Sequence, residues 1–120
     1  MKTLLFVYGT LKRGLRNHRL LADHEFRGEA TTAARYRVID LGAHPGLVRD
    51  SANGLAVRGE VFAVSECALA ELDDFEEVPG PFVRELIDVP GFESVWAYFM
   101  NTPVPPTAPT GDRWPLEQPA

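Results

Sequence analysis

The run Thr3-Leu4-Leu5-Phe6-Val7-Tyr8 is apolar and stops at Gly9. A short apolar run halted by glycine reads as a buried strand. Gly9 permits a sharp turn, or lets a ligand come close to the main chain. Gly14 ends the segment in the same way. Residues 8–14, Tyr-Gly-Thr-Leu-Lys-Arg-Gly, are therefore a candidate ligand-holding loop. Successive backbone N–H groups between a strand and a turn can form an anion-binding concavity. Thr10 adds a hydroxyl, and Tyr8 adds a ring with a polar tip. The G-x-x-x-x-G-K-[ST] order is absent, so this is not a Walker loop. On spacing alone, an ordinary strand and turn is the simpler reading.

The rest of the chain reads as mostly β. A short helical turn fits residues 17–24, with Leu20 and Leu21 inward. A strand fits 30–39, where Thr31, Thr32, Tyr36, Val38 and Ile39 cluster. Residues 41–46 hold Pro45 and two glycines and read as a loop. A short strand follows at Leu47-Val48. Asn53-Gly54 is a hairpin signal between apolar runs. Residues 54–64 alternate as a strand, with Val57, Gly59, Val61 and Ala63 on one side. Ser65 reads as a helix N-cap, with Glu66 favourable in the first turn. The helix from 66 to about 77 must stop before Pro79-Gly80-Pro81. Strands at 82–89 and 93–100 meet at Pro90-Gly91.

Strands outnumber helices without regular β-α alternation, which predicts an α+β domain. The expected architecture is a small mixed β-barrel of five to seven strands with one main helix and a short second helix. At 120 residues there is room for one core. The expected single domain covers 1–101. Residues 102–120 hold six of the ten prolines and predict an extended tail, docked through Trp114.

Several function classes recede on charge and composition. The net charge is −5, whereas a phosphate-gripping domain carries a basic excess. The local basic run Lys12, Arg13, Arg16 and Arg19 therefore reads as solvated surface, and no nucleic acid is expected. No apolar stretch approaches membrane-spanning length, so no membrane partner is expected. Cys67 is the single cysteine, which removes an internal disulfide and points to a reducing, cytoplasmic setting. His18, His24 and His44 lack metal-ligand spacing, so neither a metal nor another cofactor is expected. Cys67 has no evident base, and Ser51 and Ser65 lack a nucleophile-elbow context.

The predicted helix carries the strongest chemical signal. Leu69, Leu72 and Glu76 are spaced i, i+3, i+7. At about 100° per residue, Glu76 falls on the leucine stripe and points at the core side. Burial and the negative end of the helix dipole both raise the pKa of such a carboxylate. That suits general acid–base work near neutral pH. Asp73 lies off the stripe and is a weaker candidate. The alternative for Glu76 is a structural role, satisfying a backbone N–H or pairing with Arg84. Tyr98 offers either a hydroxyl to a ligand or simple packing.

Taken together, these segments resemble the γ-glutamylcyclotransferase-like family. Residues 7–14 with Asn17-His18 resemble its N-terminal signature. Gly59-Glu60-Val61-Phe62 is similar to its Gly-x-Val-aromatic strand, and Leu72-Asp73-Asp74-Phe75-Glu76 to its Leu-Asp-x-x-Glu element. The Asp-Asp-Phe-Glu form is especially similar to the γ-glutamylamine cyclotransferase branch. Two positions depart. Arg16 stands where many members have Pro, and Phe82 where a Tyr is common.

The resemblance implies Glu76 as the catalytic residue. It implies Tyr8, Gly9, Thr10, Leu11 and Tyr98 as substrate-binding residues. The implied reaction is intramolecular. The α-amine of a γ-glutamyl amine or related compound attacks its own γ-carbonyl, giving 5-oxoproline and a free amine. No protein nucleophile, metal or cofactor is then required. The expected partner is a small γ-glutamyl substrate, and the expected state is a monomer or weak homodimer. The competing expectation is a non-catalytic module on the same fold that binds a small anion or amino acid.

Overall fold

The computed structural model describes residues 2–116. Residues 117–120 of the predicted tail lie outside the described residues. The strands are β1 (Lys2–Val7), β2 (Glu25–Asp40), β3 (Pro45–Arg49), β4 (Leu55–Ser65), β5 (Phe82–Ile87), β6 (Val95–Met100) and β7 (Thr110–Gly111). One helix, α1 (Glu66–Phe75), follows β4, and the 17–24 segment holds a single 3-10 turn at His18–Leu20. Among the described residues, no helix is long and apolar enough to cross a membrane.

The sheet runs in the order β3-β2-β4-β1-β6-β5, with β7 paired to β2. β1 sits inside it, antiparallel to β4 and parallel to β6. Its alternating side chains feed two cores. Phe6 joins residues from all six long strands, including Val38, Leu47, Val61, Ile87 and Phe99. Leu5 and Val7 point the other way, onto Leu69 and Leu72 of α1. A strand that is apolar on both faces is what two-sided cover demands.

The predicted barrel is not a closed sheet. The ladder path ends at β3 and β5, which do not pair. Side chains and single bonds span the gap instead. Arg49 of β3 donates to the Leu86 carbonyl at 3.0 Å and to Glu85 at 3.2 Å. Its guanidinium lies over the Phe99 ring, 4.4 Å from the centroid. Ala33 N–H donates to the Asp88 carbonyl, and Asp88 N–H to the Tyr36 hydroxyl, both at 2.9 Å.

A second correction concerns Asn53-Gly54. β3 and β4 are not hairpin partners, because both pair with β2, which lies between them. The 16-residue β2 has length enough to hold β3 beside its C-terminal part and β4 along the rest. The turn is held by Asp50, whose carboxylate accepts from the N–H groups of Ala52 and Asn53. Gly54 then passes so close to β2 that a Cβ would lie 2.6 Å from Arg35 Cα.

The proline-rich segment is tied to the body. β7 pairs with Val38 and Ile39 of β2, and Trp114 is buried in the strand-lined core. The Trp114 carbonyl accepts from Lys12 Nζ at 2.6 Å.

α1 begins at Ser65, whose hydroxyl accepts from Ala68 N–H at 3.1 Å. It ends one residue before Glu76, earlier than the predicted 77. Glu77 N–H donates to the Asp74 carbonyl, and Val78 N–H to the Asp73 carbonyl. This paired pattern is a Schellman ending. The residue after the cap is normally glycine, yet here it is Glu77 at φ 58°.

Candidate active site

A cavity of about 230 Å³ opens where β1, β3, α1, β5 and β6 converge. It is smaller than the ~300–1,000 Å³ of drug-sized pockets, which suits a small metabolite-sized ligand. Residues 6–11 with Arg16 and Asn17 form one wall. His44 and Pro45 form a second, residues 75–77 a third, and Phe82 and Tyr98 complete it. The cavity thus brings together Tyr8, Gly9, Thr10, Leu11, Glu76 and Tyr98.

The loop after β1 is held open by its own bonds. Lys12 N–H donates to the Gly9 carbonyl at 3.1 Å, and Asn17 N–H to the Thr10 carbonyl at 3.0 Å. Asn17 Nδ2 donates to Thr10 Oγ1 at 2.8 Å. Buried Glu60 accepts from Arg13 N–H at 2.8 Å and Arg13 Nε at 3.2 Å. Among the described residues, the N–H groups of Gly9, Thr10 and Leu11 have no acceptor. Three successive open donors at a cavity wall favour an anion. Gly9 is required by proximity, since a Cβ there would lie 2.6 Å from Pro45 Cγ.

Lys12 and Arg13 are structural ties of this loop. Burial lowers the proton affinity of Lys12, with Glu60 acting against it.

Glu76 caps α1 and reaches the cavity. Its carboxylate has no hydrogen bond or ion pair among the described residues. Burial raises its pKa to about 7. The structural alternative, a pair with Arg84, is not what forms. Arg84 binds Asp73 instead, with Nε to Oδ1 at 2.8 Å and Nη2 to Oδ2 at 3.0 Å. Burial pushes Asp73 up, but the bonds from Arg84 and Tyr98 outweigh it and hold the carboxyl below its usual range. Asp73 is thus a committed anion, and the two acids of one helix turn have opposite characters.

The tyrosines are differently placed than free hydroxyls would be. Tyr8 donates to the Tyr98 carbonyl at 2.7 Å, and Tyr98 donates to Asp73 Oδ1 at 2.8 Å. Burial raises both pKa values, so both protons stay in protein bonds. What they leave unbonded is ring surface and oxygen lone pairs.

Sequence reasoning assigned no site role to His44, Pro45 or Phe75. His44 packs edge-on to Phe82 at 6.0 Å between centroids. Arg16 donates to the Ala43 carbonyl, which ties the first loop to the β2–β3 loop. No local signal marks these residues, because the fold alone carries them to the cavity. Among the described residues, no cluster of three His, Cys, Asp or Glu side chains is placed to hold a metal ion.

The cavity thus places three open backbone donors and an unpaired carboxylate with a raised pKa on facing walls. The model of the gamma-glutamyl cyclotransferase, AIG2-like family matches residues 5–116, and the chain belongs to that family. A Vibrio cholerae protein provisionally named a gamma-glutamylcyclotransferase is 43% identical over 98 residues, covering 82% of each chain. Human gamma-glutamylaminecyclotransferase is 43% identical over 93 residues, covering 72% of this chain and 61% of the human one. The chain therefore spans about three-fifths of that relative's length. The crystal structure of an aig2-like protein from Mus musculus superposes with a TM-score of 0.85 at 32% identity, covering 98% of this chain and 91% of that one.

Proposed function

We propose that this chain is a γ-glutamyl cyclotransferase that converts a γ-glutamyl amine or related γ-glutamyl compound into 5-oxoproline and a free amine. The observation that carries the reading is the unpaired Glu76 carboxylate, with a pKa of about 7, in the same cavity as the open amides of residues 9–11.

The chemistry follows from proton balance. The substrate's α-ammonium cannot attack. Glu76, ionised, removes a proton and frees the amine. The amine nitrogen bonds to the γ-carbonyl carbon and closes a five-membered ring. Protonated Glu76 gives its proton to the leaving nitrogen as the old amide bond breaks. The ring nitrogen then gives its second proton to Glu76, which passes it to the departing amine as that becomes an ammonium ion, so the α-nitrogen loses two protons and the amine gains two. A carboxylate titrating near neutrality serves both directions. The loop amides hold the α-carboxylate, so the flexible γ-glutamyl group is bent towards ring closure. Fixing that geometry removes much of the barrier. Tyr8, Leu11 and Tyr98 wall the ring that forms. The free, exposed Cys67 suits a reducing, cytoplasmic setting.

The test is to incubate the chain with γ-glutamyl amines, dipeptides and peptides and to measure 5-oxoproline. Product from the wild type and none from Glu76→Gln is the expected result. Thermal stabilisation by amino acids or small anions without turnover would instead favour a binding module on this fold.

A further inference from the structure

Asp73 lies three residues before Glu76 and joins α1 to β5 and β6. Its side chain accepts two bonds from Arg84 and one from the Tyr98 hydroxyl. Its backbone carbonyl accepts from Val78 N–H at 2.9 Å, closing the turn that carries Glu76. Trp96 backs the Arg84 guanidinium, with its ring centroid 5.0 Å away. Tyr98 interacts electrostatically with the Asp73–Arg84 pair on one side and with Glu76 on the other, and so stands between them.

We propose that Asp73 is a positioning residue for Glu76: it holds the Arg84 charge and the Tyr98 hydroxyl on itself, and so leaves the Glu76 carboxylate free in the cavity. The inference deepens the cyclotransferase reading and rests on it for its catalytic meaning. Its physical content needs no substrate. Asp73 and Arg84 cancel one another as a pair. Remove the acid, and a bare cation remains that favours ionised Glu76. Remove the cation, and a bare anion remains that favours protonated Glu76. The other charged or titratable groups lining the cavity are Tyr8, Arg16, His44 and Glu77. Tyr8 and Arg16 are bound to backbone carbonyls, and none of these four contacts the Asp73–Arg84 pair. Asp74, also on α1, is exposed.

The test is carboxyl-carbon NMR titration of Glu76 in the full chain, for wild type, Asp73→Asn, Arg84→Gln and the double variant. The Glu76 midpoint should fall in Asp73→Asn and rise by a comparable amount in Arg84→Gln. It should return close to the wild-type value in the double variant. A merely structural tie gives no such reversal of sign. If Asp73→Asn fails to fold, the rise in Arg84→Gln decides alone, and an unchanged or lowered midpoint there overturns the proposal. Equal shifts in the same direction from both single variants overturn it too. Absence of 5-oxoproline from the wild type would sink the cyclotransferase reading and leave this titration to be judged by itself.

Discussion

Asn17 reaches back across the first loop and donates its Nδ2 to Thr10 Oγ1 at 2.8 Å, while its N–H donates to the Thr10 carbonyl at 3.0 Å. This double grip holds the open amides of residues 9–11 in place. Asn17→Ala removes the side-chain bond, worth about 1–1.5 kcal/mol. Under the proposed function, KM should rise by roughly tenfold with a smaller change in kcat. Steady-state kinetics on a γ-glutamyl amine checks it.

Glu76 couples stability to pH. Its folded pKa of about 7 lies above the ordinary 4.5. A raised folded pKa means that the stabilising contribution is complete below about 4.5 and is lost as pH rises through about 7. The full span amounts to no more than about 3 kcal/mol. Glu76→Gln removes that slope and should stabilise the protein at pH 8 by about 1–3 kcal/mol while abolishing turnover. Urea melts at pH 5 and pH 8 measure both effects.

Activity should run against stability. The ionised carboxylate starts the reaction, so kcat should climb about tenfold per pH unit on the acid side and level off above about 7. A rate profile flat from pH 5 to 8 would remove Glu76 from the first proton transfer.

Glu77 occupies a left-handed position at φ 58°. A side chain there costs roughly 1 kcal/mol, which glycine avoids. Glu77→Gly should therefore raise Tm by about 4–8 °C, read by calorimetry.

Trp114 fills the strand-lined core from the proline-rich segment, with 8% exposure. Trp114→Ala should cost about 3–5 kcal/mol. Its carbonyl also receives Lys12, so loosening this segment should raise KM as well. Denaturant melts and kinetics on the same variant test the coupling.

The parts of this molecule written in local pattern were readable in advance. The apolar run of β1, the Ser65 cap and the Leu69–Leu72–Glu76 stripe each obey a rule of a few residues. The inward Glu76 followed from the helical period, although the helix stops at Phe75. Partner choice was not local. Arg84 could be seen as a candidate for Glu76, but only the placement of β5 beside α1 selects Asp73. The Asn53-Gly54 signal marked a turn correctly and its partners wrongly, because a 16-residue β2 takes both neighbours. His44 and Pro45 reach the cavity through the β2–β3 connection, which no spacing within their own segment announces.

The unladdered seam between β3 and β5 has a consequence for life in a crowded solution. A strand edge with unpaired backbone groups is a template on which another chain can add. Here Arg49 sits on that edge, bound to the Leu86 carbonyl and flanked by Glu85. An incoming strand would have to displace a guanidinium from its acceptor and strip water from two charges. The residue that bridges the open seam is thus also the kind of charged edge residue that opposes growth into aggregates.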